Sequence, residues 1–364
     1  MRTLPCYPGG EYIWGAPDVA VKLWSQVRPW LPWVGMVVLL VLLIQAVNPA
    51  SLLAALRHAR LWLILPIFGC GLVSLILRSI RWHLLLKAID APNTLLDSII
   101  LFSAAQAALL VPGGQFLLPV LQRSQYGTLI RRSAPTILVQ ELVYGLLVLP
   151  AALPGVPPYH PAGWLLLVAL IFNAGTAVAL LQGGILRRIV AIARHIPFIR
   201  NHVGNLTEMQ SHVVTVATSR WAIFGTVFDM AAIAVAGVGL LLALRAVGAE
   251  QIDWIESMAV YALGSAVGTL SALPGGIGAN EDVSTLVLHR MALDAGSAAA
   301  GTLIFRVVNL LMGTGIGWLV LTLARSRLKV HPTFAGIARA VHGAEEKVIE
   351  GKDPPKQPEQ YLKA

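Results

Sequence analysis

Apolar residues in this chain come in long unbroken runs, not in the alternation of a half-buried strand or the single stripe of a surface helix. MVVLLVLLIQAV fills 36–47, WLLLVALI fills 164–171 and AAIAVAGVGLLLAL fills 231–244. A helix rises about 1.5 Å per residue, so some 20 apolar residues cross the roughly 30 Å hydrocarbon core of a bilayer. On that measure the pattern predicts full spans at 30–48, 61–80, 134–152, 162–182, 221–244 and 298–323. Two further apolar stretches are interrupted. Residues 97–126 break at Pro112-Gly113-Gly114, and residues 256–293 break at Pro274-Gly275-Gly276, leaving arms too short for a comfortable crossing. Proline lacks an N–H and disfavours helix just before itself, while paired glycines let the chain turn sharply. Broken backbone at membrane depth persists only where protein buries it or where it lines a wet cavity. The pattern therefore predicts an all-α integral membrane protein, a polytopic helical bundle of about six full spans plus two re-entrant helical hairpins.

Composition supports the bilayer. Hydrophobic residues are 56% and charged residues 12% of the 364, with mean hydropathy +0.72, whereas a soluble chain carries roughly 25% charged residues to solvate its surface. The formal charge of +9 sharpens the topology. With the N-terminus in the cytoplasm, 22 of the 27 Lys and Arg residues fall in cytoplasmic segments, counting Arg78, Arg81 and Lys87 among them. Arg57, Arg60, Arg245 and Arg290 fall opposite, and Arg306 lies inside a span. The positive-inside rule then predicts a multi-pass protein of the cell inner (plasma) membrane with both termini cytoplasmic. The basic residues sit between spans and form no single stripe, which speaks against nucleic acid as a partner. Residues 1–29 read as a cytoplasmic segment without a cleavable signal, 183–220 as a basic surface helix on the inner leaflet, and 326–364 as a cytoplasmic tail. Cys6 and Cys70 are too few for a disulfide framework.

The two interrupted stretches belong to an internal repeat. Leu95-Leu96-Asp97-Ser98 opens the first and Trp254-Ile255-Glu256-Ser257 the second, the Pro-Gly-Gly breaks align, and Leu138–Val143 matches Leu303–Val308 in the spans that follow. Repeat one covers about 61–152 and repeat two about 221–323, within a membrane domain over 30–325. Three spans separate the two starts, and an odd number inverts the second unit, giving an inverted repeat of the kind many transporters use.

Ionisable groups inside spans are costly and need a partner or a task. Glu141 and Arg306 occupy equivalent positions in the two repeats with opposite signs, which makes a contact between them plausible and offers Arg306 as a phosphate ligand when Glu141 releases it. The second break, Pro274-Gly275-Gly276-Ile277-Gly278-Ala279-Asn280-Glu281-Asp282, places Gly275, Gly276 and Gly278 before a helix start, where free N–H groups suit an anion. Glu281 and Asp282 at the same helix start either cap it or meet a cationic headgroup. Asp229 faces a cavity or the cytoplasmic interface, and Arg78 with Arg81-Trp82 reads as an anchor at headgroup level or as a headgroup contact. The histidines show no metal spacing, and nucleophile elbow, Walker loop and dinucleotide fingerprint are all missing, so neither a metal nor a cofactor is expected.

Leu273-Pro274-Gly275-Gly276-Ile277-Gly278 with Glu281, Gly296 and Phe305-Arg306 resembles the flippase-like membrane domain of lysylphosphatidylglycerol synthases and their stand-alone relatives. Arg81-Trp82 and Pro112-Gly113-Gly114 resemble the matching features of the first half. The resemblance covers roughly 30–325 and implies a bundle of inverted repeats that moves lipids between leaflets. The chain ends at Ala364, soon after the last span, which leaves it as a stand-alone member without the C-terminal transferase domain. Leu142 stands where the family has an Arg beside its acidic residue, and Phe116 and Leu117 depart from the family's first hairpin. The expectation is a non-enzymatic lipid flippase whose partner is a membrane lipid with an anionic or lipid-linked headgroup. A homo-oligomer and a partner lipid-synthesis enzyme remain open. The alternatives are an integral membrane enzyme or accessory acting on a lipid-linked sugar or terpenoid lipid, and a passive scaffold.

Overall fold

In the computed structural model, which describes residues 49–111, 114–153, 161–182, 206–271 and 273–324 together with positions 184 and 188, every regular element is helical. The helices are α1 Pro49–Arg57, α2 Ile64–Lys87 (led by a 3-10 turn, Leu61–Leu63), α3 Leu95–Ala105, α4 Leu117–Tyr126, α5 Ile130–Ala152, α6 Pro161–Leu181, α7 Leu206–Ala217, α8 Arg220–Ala246, α9 Trp254–Leu270, α10 Ala279–Arg290 and α11 Ala295–Leu323. Among the described residues, four stretches are long and apolar enough to cross a membrane: Leu61–Lys87, Arg132–Ala152, Arg220–Ala246 and Ala295–Leu323. They coincide with four of the expected spans, and α6 is a helix where a fifth is expected. The span expected at 30–48, the segments 1–29 and 326–364, Pro112-Gly113 and most of the basic stretch between α6 and α7 lie outside the described residues.

One boundary is corrected. The helix expected to end at residue 80 continues to Lys87, so Arg78 and Arg81 lie on the helix itself and pack inside the bundle. An arginine ends a hydropathy window, but it does not end a helix when a carboxylate awaits it on a neighbour.

The frame is the antiparallel pair α2 and α8. At one end the Arg60 N–H donates to the Ala246 carbonyl (2.9 Å) and the Arg60 side chain meets Glu250 (3.6 Å). At the other, Lys87 and Arg220 both lie against the Trp221 ring, at 4.9 and 5.1 Å. Cationic and aromatic side chains gathered at a helix end suit the headgroup level of a bilayer. These two ends carry residues that the charge count assigns to opposite faces. Along the outside, Leu65, Ile223, Val227, Met230, Leu311 and Leu319 are exposed. Large apolar side chains displayed on long helices face lipid at no cost, whereas water would disfavour them.

Each interrupted stretch folds as two short helices packed on one another, α3 with α4 and α9 with α10. Both open with a reciprocal cap. The Thr94 hydroxyl accepts the Asp97 N–H while Asp97 accepts the Thr94 N–H, and Asp253 and Glu256 repeat the exchange at 2.8 and 2.9 Å. Such boxes satisfy the free N–H groups of a helix start and fix where the helix begins. Among the described residues, two large apolar cores fill the bundle. One gathers Ile67, Val148, Leu240 and Leu288, and the other gathers Leu75, Trp82, Leu101 and Leu117.

Candidate functional site

The second break is a closed network. Gly275 (φ 60°), Gly276 (φ 66°) and Gly278 (φ 90°) all lie in the left-handed region, which only glycine enters without strain. The turn they make delivers Glu281 to the first turn of α10. There its Oε2 accepts the Gly278 N–H at 2.7 Å and its Oε1 accepts from Arg306 Nε at 2.6 Å. Arg306 donates a second bond, from Nη2 to the Gly275 carbonyl at 2.5 Å. Arg306, on α11, therefore ties both sides of the turn to a rigid span. Glu281 is the group that caps this helix start. The neighbouring Asp282 keeps one carboxylate oxygen buried and without a hydrogen-bond partner.

A second ion pair lies deeper. Arg81 Nε meets Asp229 Oδ2 at 2.8 Å, and Arg81 Nη1 donates to the Ala222 carbonyl at 2.6 Å. The two side chains are 0% and 1% exposed. Gly225 makes the fit possible, because a Cβ there would run into the Arg81 guanidinium.

Between the two apolar cores sits a cavity of about 170 Å³. Its wall takes Leu75 and Phe102 from one core, Ala236 and Phe305 from the other, and polar groups from Ser74, Arg78, Gln106, Tyr261, Arg306 and Asn309. The two hairpins come close beside it, since a Cβ on Gly275 would lie 3.6 Å from the Leu109 carbonyl oxygen. Arg78 rests on the Tyr144 ring, 4.4 Å from its centroid, and the Tyr144 hydroxyl shares a 2.8 Å hydrogen bond with Tyr261. The carboxylates of Glu141 and Asp229 act on Arg78 electrostatically, but neither forms an ion pair with it among the described residues.

The structure thus brings Arg306, Glu281, Gly275 and Gly278 into one constellation, with Gly276 and Asp282 beside it. It brings Arg81 and Asp229 into another, away from the cavity wall. The contact weighed between Glu141 and Arg306 is corrected. Arg306 is bound by Glu281, and the Glu141 side chain is exposed and makes no ion pair among the described residues. Repeat symmetry makes two positions equivalent, but it does not bring them together when a carboxylate on the next packed helix is nearer. Asp229 is not a solvated group, because it is buried and paired with Arg81. Sequence reasoning weighed Arg78 only as an anchor or a headgroup contact at the end of its span, not as part of a cavity. The available signal was two carboxylates, Glu141 and Asp229, in apolar helices opposite a pair of arginines one turn apart on α2. The carboxylate cluster that a lipid-modifying enzyme would need is also spoken for in part, since Glu281 is held by Arg306 and Gly278.

Residues 30–317 match the family model described as the lysylphosphatidylglycerol synthase TM region. The match spans well over half of the 364 residues, and the chain belongs to this family. The family model describes a transmembrane region, and membership supports a flippase-like transport role in general. A search of curated proteins returned no match.

Proposed function

We propose that this member of the lysylphosphatidylglycerol synthase membrane family is a lipid translocase that carries a phospholipid or lipid-linked headgroup between leaflets. The headgroup passes through the cavity beside the two hairpins while the hydrocarbon chains stay in the bilayer. The observation that carries the reading is a polar cavity with two guanidinium groups on its wall, set between two apolar cores of a bundle whose outer surface is hydrocarbon. An ion at the bilayer centre costs about 2.5–3.5 kcal/mol or more, so such groups are retained where a polar solute must pass.

In this reading the hairpins are re-entrant, the two repeats are inverted about an axis in the membrane plane, and both termini are cytoplasmic. The antiparallel α2–α8 pair, formed by the first helix of each repeat, supports the inversion. Arg306, Glu281 and the three glycines make a latch. When a headgroup competes for Arg306, the Gly275–Gly278 turn is released from α11 and α10 can move. Asp282 follows that movement, Glu141 supplies the acidic side of the path, and Arg81 with Asp229 holds the helices that do not move.

The decisive test is translocation of a fluorescent phospholipid in proteoliposomes, read by dithionite quenching of the outer leaflet. Wild type should expose inner-leaflet probe faster than protein-free vesicles, and Arg306→Ala with Glu281→Ala should abolish the difference while remaining monodisperse. Unchanged rates in both variants would sink the latch, and no difference between wild-type and protein-free vesicles would sink the translocase.

A further inference from the structure

Among the described residues, Arg78, Arg81 and Arg306 sit inside the bundle, and two of them are engaged. Arg81 has Asp229 and the Ala222 carbonyl, and Arg306 has Glu281 and the Gly275 carbonyl. Arg78 is different. Among the described residues its guanidinium has the Tyr144 ring beneath it and neither a carboxylate at ion-pair distance nor a carbonyl as acceptor. It lines the cavity and is half-buried. A guanidinium held among apolar helices without an acceptor is costly, and the cost is removed when an anion arrives. Its planar fork of donors matches two oxygens of a phosphate, and stacking on Tyr144 holds that fork in one orientation beforehand.

Two amides on the same cavity wall show what else the ligand carries. Gln106 donates its amide N–H to the Phe102 carbonyl (3.4 Å) and Asn309 donates to the Phe305 carbonyl (2.8 Å). Each keeps its side-chain oxygen, an acceptor, for a donor group on the solute. We infer that Arg78 is the phosphate ligand of the translocated lipid, and that the cavity takes a phosphodiester headgroup ending in a hydroxyl or amine that Gln106 and Asn309 accept from. The inference rests on the translocase reading for its lipid. It separates the roles of the two cavity arginines: Arg78 holds the phosphate, and Arg306 keeps the turn closed until the headgroup competes for it.

The test uses the full chain with Arg78→Gln and Arg78→Lys, the latter keeping the charge without the fork. In proteoliposomes, Arg78→Gln should slow a fluorescent phosphatidylglycerol by about tenfold or more and Arg78→Lys by less, roughly 1.4 kcal/mol per tenfold. A fluorescent glucosyldiacylglycerol, which has no phosphate, should show no such dependence on residue 78. In native mass spectrometry wild type should retain phospholipid and Arg78→Gln should lose it. Retention at the wild-type level in both variants would overturn the inference even if translocation itself were impaired. If wild type moves no lipid at all but retains phospholipid through Arg78, the translocase reading fails and the binding site stands. Cys70 lies on the cavity wall and separates lipid from free anion. In a Cys6→Ser background, dihexanoylphosphatidylglycerol should protect it from a charged thiosulfonate, and inorganic phosphate at the same concentration should not. Equal protection by phosphate would assign the cavity to a free anion and overturn the headgroup.

Discussion

Arg81–Asp229 and Arg306–Glu281 are the same chemistry at nearly the same length, 2.8 and 2.6 Å, yet their settings differ in every respect that matters. The first joins two long helices along the α2–α8 frame, and its side chains are 0% and 1% exposed. The second joins a long helix to a glycine turn beside a cavity, and its side chains are 19% and 6% exposed. A dry pair between rigid elements has nothing to exchange with, so it fixes the distance between them. A pair at the edge of a polar cavity can trade a carboxylate for a solute anion, and its turn can move when it does. Position, more than chemistry, sorts a strut from a latch.

The largest effect should come from breaking the strut. Asp229→Ala leaves Arg81 buried and unpaired, and removing one partner of a buried pair costs about 3–5 kcal/mol. Thermal unfolding in detergent should show it. Arg81→Met combined with Asp229→Leu should recover most of the loss, because an apolar replacement of both partners removes the desolvation cost too. If the single variant melts with wild type, the pair is not a strut.

Glu281→Gln should separate the two pairs by readout. It removes a charged acceptor but leaves an amide oxygen for Arg306, so stability should fall by about 1.5–3 kcal/mol, the range for a hydrogen bond to a charged group. Translocation should fall far more than the melting temperature suggests. A proportionate drop in both would make the second pair a strut as well.

Gly225→Ala probes the strut from below. The added methyl would push the Arg81 guanidinium off its seat, at a cost of about 1–3 kcal/mol, typical of overpacking a tight site. Combined with Asp229→Ala it should cost less than the sum, because both act on one contact. Additive losses would mean that Gly225 matters only to α2–α8 packing.

Much of the frame was legible because lipid leaves so few solutions. Apolar runs at 61–80, 134–152, 221–244 and 298–323 had to be helices, and they are. The second interruption was legible too, since Gly275, Gly276 and Gly278, all with positive φ, sit beside a proline that already signals a break. Glu281 and Arg306 stood out individually as charges in apolar surroundings. Their pairing did not, because repeat symmetry pointed Arg306 toward Glu141, while the choice was made by how α10 packs on α11. Arg78 and Arg81 were read as an anchor or a headgroup contact, because a hydropathy boundary drawn at residue 80 put them at the end of a span. Only the fold shows that Asp229 lies across from one of them and Tyr144 beneath the other.

Tyr144→Phe should have the smallest effect, and it asks whether the cavity arginine is held by stacking or by the hydroxyl network behind it. The substitution deletes the 2.8 Å bond to Tyr261 and the longer 3.4 Å contact with Ser265 but leaves an aromatic face under Arg78. A neutral hydrogen bond of this kind contributes about 0.5–1.5 kcal/mol, so the melting temperature should drop slightly. Phenylalanine keeps most of the ring's attraction for a cation, so phospholipid translocation should stay near wild type. Tyr144→Leu removes the face as well and should lower the rate toward that of Arg78→Lys, because the fork then loses its orientation. A rate loss in Tyr144→Phe equal to that in Tyr144→Leu would move the positioning role from the ring to the hydroxyl. Arg78 would then be steered through Tyr261 on α9, and the cavity would be coupled directly to the hairpin that Arg306 holds.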